Sequence, residues 1–94
     1  MMDELRRQRE SIIQIAQAHG ATNIRVFGSV PRGEDTAASD IDFLMDFDQD
    51  RSLIDLVATK LELEELLGRK VDVITVQALH PMMRQAVLKE AVEL

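Results

Sequence analysis

The chain has 94 residues, enough for one packed domain, and we expect a single domain over residues 1–94. Seventeen acidic and eleven basic residues give a net charge of −6, so we do not expect direct nucleic-acid binding along phosphates. The lack of cysteine excludes disulfides and thiolate metal sites, and the lack of a membrane-spanning apolar run or secretory signal pattern predicts a cytoplasmic location without membrane partners.

The first predicted elements are a helix and a short strand. Apolar residues recur at helical spacing over residues 3–19, and Gly20 stops the helix. The apolar stripe of this helix consists of Leu5, Ile12 and Ala16. Residues 24–27 read as a strand that Gly28 ends.

A loop and a second strand follow. Pro31 and Gly33 prevent a continued strand, although a short helix starting near Val30 remains open. Residues 34–39 are loop-like. Residues 41–47 alternate between apolar and mixed positions, which predicts a strand with one apolar face.

The next segment has clear helix boundaries. Ser52 and Asp55 resemble a capping box, and the helix runs through Leu67 to a stop at Gly68. We expect its inward side to consist of Leu53, Leu56, Val57, Lys60, Leu61, Glu64 and Leu67. Residues 71–76 then form a third strand.

A last helix is predicted from Pro81 to the end of the chain. Its apolar residues recur at four-residue spacing and are Met83, Val87 and Ala91. We interpret His19 and His80 as structural, since one precedes a helix-ending glycine and the other a proline. Met82 and Met83 could form a partner surface, but core packing is their expected use.

This order predicts an α/β (α+β) fold with a small three-stranded mixed sheet and about four helices. A helix joins the second and third strands, so they should be parallel. If the first strand lies antiparallel beside the second, its exit at Gly28-Ser29 reaches the end where both others begin. Asp40, Asp42 and Asp72 would then converge with the glycine-serine turn.

Such a convergence suits a divalent cation. Residues two apart in a strand share a face at roughly 6–7 Å, so Asp40 and Asp42 can hold metal between them. Oxygen ligands without nearby histidine favour Mg²⁺, or Mn²⁺, over zinc. Asp72 is placed to be a third ligand or to accept a proton from an attacking hydroxyl.

The residues between strands suit phosphate binding. Gly28 permits close backbone approach, and Ser29 adds a hydroxyl beside N–H groups of a turn. Arg32 supplies positive charge for a triphosphate, Gly33 permits a sharp turn, and Ser39 would orient the aspartates. Together with the carboxylates they predict in-line displacement at the α-phosphate of a nucleotide.

Each feature also has a simpler interpretation. Gly28-Ser29 alone is typical of a turn, and an Asp-x-Asp pair alone is most often a solvated strand start. Asp72 alone could be an edge-strand charge that discourages aggregation. The spaced combination is more specific than any of its parts.

Gly28-Ser29, followed by Asp40-Ile41-Asp42 and later Asp72, resembles the signature of polymerase-β-like nucleotidyltransferases. The short length, "GRKVDVIT" and the ending "LKEAVEL" are similar to minimal nucleotidyltransferases, in particular MntA-type antitoxins of HEPN–MNT toxin–antitoxin systems. The resemblance implies transfer of AMP from ATP by two Mg²⁺ ions held at the three aspartates. It also implies a cognate HEPN-domain toxin as partner, with a toxin tyrosine as acceptor.

Two alternatives stay open beside this prediction. The chain could be a non-catalytic antitoxin that blocks the toxin by binding alone. It could also be a nucleotidyltransferase that modifies the hydroxyl of a small molecule.

Overall fold

The computed structural model describes residues 1–94 as an α/β fold built on one sheet. In chain order, its helices and strands are α1 (Met2–Arg7), α2 (Arg9–Ala18), β1 (Ala21–Phe27), β2 (Ile41–Phe47), α3 (Leu53–Leu67), β3 (Val71–Ile74), α4 (Pro81–Glu90) and β4 (Val92–Glu93). A 3₁₀ turn, Val76–Ala78, precedes α4. None of the helices is at once long and apolar enough to pass through a membrane.

The sheet has the strand order β3-β2-β1-β4. As predicted, β2 is parallel to β3. β1 is antiparallel to β2, which meets the condition stated above and brings the starts of β2 and β3 and the exit of β1 to one end. The mixed-sheet α/β fold is therefore confirmed.

A fourth strand completes the sheet where we expected the last helix to continue. That helix ends at Glu90, and Ala91 is extended, with φ −63° and ψ 137°. β4 then pairs with the free edge of β1, and the Leu94 N–H donates to the Ile24 carbonyl at 3.1 Å. Backbone pairing with a distant strand outweighs the helical spacing of the apolar residues.

Both faces of the sheet are covered. On one face, the strand residues Ile41, Phe43 and Met45 pack with α1, α2 and α3 in the main core, whose helical members are Leu5, Ile12, Ala16 and Leu63. On the other face, α4 and the segment before it cover a smaller cluster of Phe27, Leu44, Leu79 and Val87. Alternation along β2 places Asp42 on the face of the smaller cluster.

Helix α3 begins and ends as predicted, but its buried face was predicted only in part: Leu56 and Leu67 pack against the main core as expected. Ser52 and Asp55 form the capping box, and Gly68 ends the helix in the left-handed conformation. The fully buried residues are Thr59 and Leu63, whereas Leu53, Val57 and Leu61 are exposed. Thr59 can be buried because its hydroxyl donates to the Asp55 carbonyl at 2.8 Å.

Some other boundaries also differ from prediction. The N-terminal helix divides at Gln8, although its predicted stripe is buried. β1 begins three residues earlier than expected, at Ala21, and contains an irregularity at Asn23, where φ is 51°. β3 stops at Ile74, and residues 28–33 form turns instead of a short helix.

The two histidines have the expected structural positions. His80 caps α4, since its Nδ1 accepts the Met82 N–H at 3.1 Å. His19 lies between α2 and α3, in contact with Glu62. The core role predicted for Met82 and Met83 is wrong, because both side chains are exposed on the first turn of α4.

Candidate active site

The turn after β1 lies directly against the first carboxylate of the site. Phe27 is the register partner of Asp42, and Gly28 follows with φ +82°. A Cβ on Gly28 would lie 3.3 Å from the Asp42 Cγ and collide with its carboxylate oxygen. Only glycine suits this position, because both the backbone conformation and the close approach exclude a side chain.

Asp42 and Asp72 face each other across neighbouring parallel strands. They are register partners, and their carboxyl groups are in hydrogen-bonding contact. Burial above all, together with the charges of Asp72 and Asp40, raises the pKa of Asp42 from its ordinary value of 3.8 to about 6. A divalent cation would relieve this repulsion, so the pair fits the metal chemistry predicted from sequence.

Asp40 stands slightly apart from the other two carboxylates. It is exposed at the end of the loop before β2, near enough for its charge to act on Asp42. No three acidic or histidine side chains are arranged as a ready cluster for one ion. The structure thus brings Asp42 and Asp72 together and leaves Asp40 at the rim.

Arg32 reaches the site but is already paired. Its Nη1 donates to the Glu90 carboxylate at 3.1 Å, and its Nε donates to Glu34 at 2.7 Å. Hydrogen bonds to these two carboxylates raise the Arg32 pKa above its ordinary value. The Arg32 charge in turn lowers the pKa of Asp42, although by less than burial raises it.

Glu90 is a site residue that sequence reasoning missed. Besides contacting Arg32, its Oε1 accepts the Gly28 N–H at 3.0 Å. A carboxylate therefore occupies two of the donors that we assigned to nucleotide phosphate. Glu90 lies at the end of α4, far from the motif in sequence, and no local pattern distinguishes it from an ordinary surface glutamate.

The loop that precedes Asp40 is fixed by hydrogen bonds within the loop and by hydrogen bonds from Arg69. Within it, the Ser39 hydroxyl accepts the Thr36 N–H at 2.8 Å, and the Gly33 N–H donates to the Val30 carbonyl at 3.1 Å. From outside, Arg69 donates to the carbonyls of Thr36 and Ser39 at 2.9 and 2.7 Å. Arg69 is a second residue that sequence reasoning missed, and it fixes the peptide that precedes Asp40.

A cleft of about 550 Å³ opens on the β3 side of the carboxylates. Its acidic wall contains Asp40 and Asp72, and its basic residues are Lys60, Arg69 and Lys70. Gly28 lies on the other side of Asp42, since β1 and β3 flank β2. The carboxylates therefore lie between the glycine-serine turn and an open cleft, an arrangement that suits group transfer between two substrates.

Comparison with known proteins bears directly on this arrangement. The model of the nucleotidyltransferase domain family matches residues 5–94. The chain belongs to this family.

Individual relatives define its place in the family. A candidate protein adenylyltransferase of Methanocaldococcus jannaschii, MJ0435, is 44% identical over 92 residues, which span 98% of this chain and 96% of the relative. The protein adenylyltransferase MntA of Thermococcus cleftensis is 37% identical over 79 residues, 84% of this chain and 80% of the relative. The resemblance to minimal nucleotidyltransferases related to MntA is confirmed.

Solved structures agree with the sequence comparison. A structure described as a candidate minimal nucleotidyltransferase superposes with a TM-score of 0.88 at 44% identity and covers 98% of this chain and 94% of its own. A toxin–antitoxin structure containing AMP-PNP superposes with a TM-score of 0.76 at 21% identity, over 89% of this chain and 69% of its own. At that identity the second likeness shows the shared fold alone.

Proposed function

We propose that this protein is a Mg²⁺-dependent adenylyltransferase that transfers AMP from ATP to a protein hydroxyl. The acceptor is a tyrosine of a cognate HEPN RNase toxin, and the transfer makes the protein an antitoxin. The observation that carries the proposal is the contact of Asp42 with Asp72 directly beside Gly28. Membership of the nucleotidyltransferase family and 37% identity to a protein adenylyltransferase, MntA, support it.

The carboxylates of Asp42 and Asp72, with Asp40 alongside, would hold two Mg²⁺ ions. The ions supply positive charge that offsets the charge on the attacking and leaving oxygens. The raised pKa of Asp42 fits this role, because a bound cation would offset the negative charge that burial and the neighbouring carboxylates disfavour.

The protein residues position the two substrates. The backbone of Gly28-Ser29 and Gly33 would bind the β- and γ-phosphates after Arg32 exchanges Glu90 for phosphate. The acceptor hydroxyl oxygen attacks the α-phosphorus from the cleft, and the bond to the bridging oxygen of the β-phosphate breaks. Pyrophosphate leaves, AMP stays on the acceptor oxygen, and Asp72 takes the hydroxyl proton.

Intact mass spectrometry tests the proposal. We expect purified protein with ATP, Mg²⁺ and the HEPN protein encoded beside its gene to increase the toxin mass by about 329 Da per AMP. Asp42→Asn should abolish the increase. Asp3→Asn is the matched control, because Asp3 is an exposed aspartate on α1.

The same assay separates the two alternatives. Unchanged toxin mass together with equal protection of cells by wild type and Asp42→Asn would indicate an antitoxin that acts by binding alone. Pyrophosphate release with small hydroxylated molecules, but not with the toxin, would indicate a small-molecule nucleotidyltransferase.

A further inference from the structure

The outer face of α3 carries an apolar strip that the fold does not use. Leu53, Ile54, Val57 and Leu61 are 72, 79, 41 and 56% exposed. With Ala58 they line a groove of about 390 Å³ that contains no polar residue. A contiguous apolar surface of this kind is typical of an interaction site.

The strip is not required to hold α3 in place. The helix is anchored by the buried side chains of Thr59 and Leu63 and by its capping box, all of which leave the outer face free. A surface helix normally confines its apolar residues to one face. An apolar second face therefore indicates that something other than the core of this chain covers it.

Exposed acidic residues lie at both ends of the strip. Asp48 and Asp50 precede the helix, and Glu65 follows Leu61 by one turn on the same face. None of these three acidic residues forms an ion pair within the chain.

This charge pattern argues against a second copy of the chain as occupant. Antiparallel packing of two α3 helices brings the Asp50 end of one against the Glu65 end of the other, and parallel packing sets each acidic end against itself. The nearby basic residues, Arg51 and Lys60, are engaged with Asp55 and Glu64. The net charge of −6 adds to the repulsion.

We propose that the outer face of α3 is the docking surface for a partner protein that presents apolar side chains between basic flanks. This inference rests on the proposed function. The partner is then the toxin, because an RNase binds RNA phosphates through basic groups and so carries basic residues on its surface. Complementary charge at the ends of the strip would set the orientation of the partner.

The docking surface leads directly to the active site. Gly68, at the end of α3, lines the same cleft as Asp40 and Asp72. Leu61 precedes Gly68 by two turns of helix, a distance of about 10 Å. A partner seated on the strip can therefore present a hydroxyl to the cleft without leaving the helix.

Binding of the cognate toxin to substituted proteins tests the docking surface. Ile54→Glu and Leu61→Glu should each raise the Kd about tenfold or more, because each places a charge in an apolar contact. Met82→Glu is the matched control, since Met82 is an exposed apolar residue on α4, and its Kd should stay within about twofold of wild type. Equal thermal unfolding of all variants excludes loss of the fold.

Charge reversal provides a second measurement. Glu65→Lys should weaken binding and reduce its dependence on salt, because it removes an attraction to the basic flank. Wild-type Kd values for both strip variants, no toxin binding by wild type, or a wild-type homodimer that Leu61→Glu dissociates would each overturn the proposal.

Failure of the proposed docking surface can be distinguished from failure of the proposed AMP transfer. Strip-dependent binding without any mass increase contradicts AMP transfer and supports the docking surface. AMP transfer with binding unaffected by the strip substitutions supports the chemistry and overturns the docking surface.

Discussion

At the scale of single residues, the site depends on the contact between Gly28 and Asp42. The backbone at Gly28 has positive φ, and the space where a Cβ would project is filled by the Asp42 carboxylate. The glycine therefore sets how closely the turn, which we propose to bind phosphate, can approach Asp42, which we propose to bind metal. A substitution at Gly28 should therefore impair the proposed phosphate binding and the proposed metal binding together.

Gly28→Ala is expected to lower the free energy of unfolding by about 2 kcal/mol and to reduce AMP transfer at least about a hundredfold. Gly68→Ala is the matched control, since Gly68 also has positive φ but a Cβ there meets no atom within 4 Å. Urea unfolding and the toxin mass assay measure the two effects. Equal losses of activity in both variants would show that backbone strain, not the contact with Asp42, is responsible.

The raised pKa of Asp42 also predicts that the stability of the fold depends on pH. Its pKa of about 6 in the folded state exceeds the ordinary value of 3.8, so the folded protein binds the proton more tightly. The resulting stabilisation is fully present below about pH 4 and is lost as the pH rises through about 6. At neutral pH the ionised Asp42 therefore destabilises the metal-free protein.

We expect Asp42→Asn to raise the Tm of metal-free protein at about pH 7.5 and to have little effect at about pH 4. Solvent screening reduces the gain to about 1 kcal/mol, or about 4–8 °C. Scanning calorimetry in the presence of a chelator measures the difference, with Asp48→Asn as control. A lower Tm for Asp42→Asn at the higher pH would contradict this account of the carboxylate pair.

At the scale of elements, local sequence predicted the sheet and its acidic end. The alternation of residues 41–47 and the helix joining β2 to β3 were sufficient to place Asp42 beside Asp72. The contacts that were not predicted join segments distant in sequence. Glu90 reaches Gly28 from α4, and β4 reaches β1, and neither partnership has a local periodicity.

Local sequence was also insufficient to predict which face of α3 is buried. Apolar residues occur on both faces of this helix, so periodicity could not decide which face is buried. The buried face includes Thr59, which can be buried because its hydroxyl donates to the Asp55 carbonyl within the helix. Leu53, Val57 and Leu61 were assigned to the core on hydrophobicity alone, which does not distinguish a core from an interface.

The end of α4 gives a prediction about nucleotide affinity. Glu90 accepts hydrogen bonds from the Gly28 N–H and from Arg32, so a triphosphate must compete with its charge. Glu90→Gln should tighten ATP binding about three- to tenfold, because the amide keeps the shape but removes the negative charge. Fluorescence titration with an ATP analogue measures the Kd.

Glu93→Gln is the control for this titration, since Glu93 is an exposed glutamate on the adjoining strand β4. Tightening by both substitutions would indicate a general effect of net charge. Weaker binding by Glu90→Gln alone would show that the carboxylate holds the turn in a binding-competent form instead of competing with phosphate.

At the scale of the whole molecule, the charge distribution bears on how the proposed antitoxin would act against an RNase toxin. The net charge of −6 repels polyanions, and several basic residues near the site, including Arg32 and Arg69, are already engaged by carboxylates or carbonyls. Under the proposed function, Mg²⁺ would carry much of the positive charge that compensates a bound nucleotide. An RNA chain would lack that compensation along most of its length.

We therefore expect the free protein to bind a fluorescein-labelled single-stranded RNA with a Kd above about 100 μM at physiological salt, measured by fluorescence anisotropy. A Kd below about 10 μM that weakens steeply with salt would contradict this expectation. If RNA binding is as weak as expected, the protein cannot protect RNA by covering it. Under the proposed function, neutralisation would then act on the toxin itself, through covalent AMP transfer, through docking of the toxin on α3, or through both.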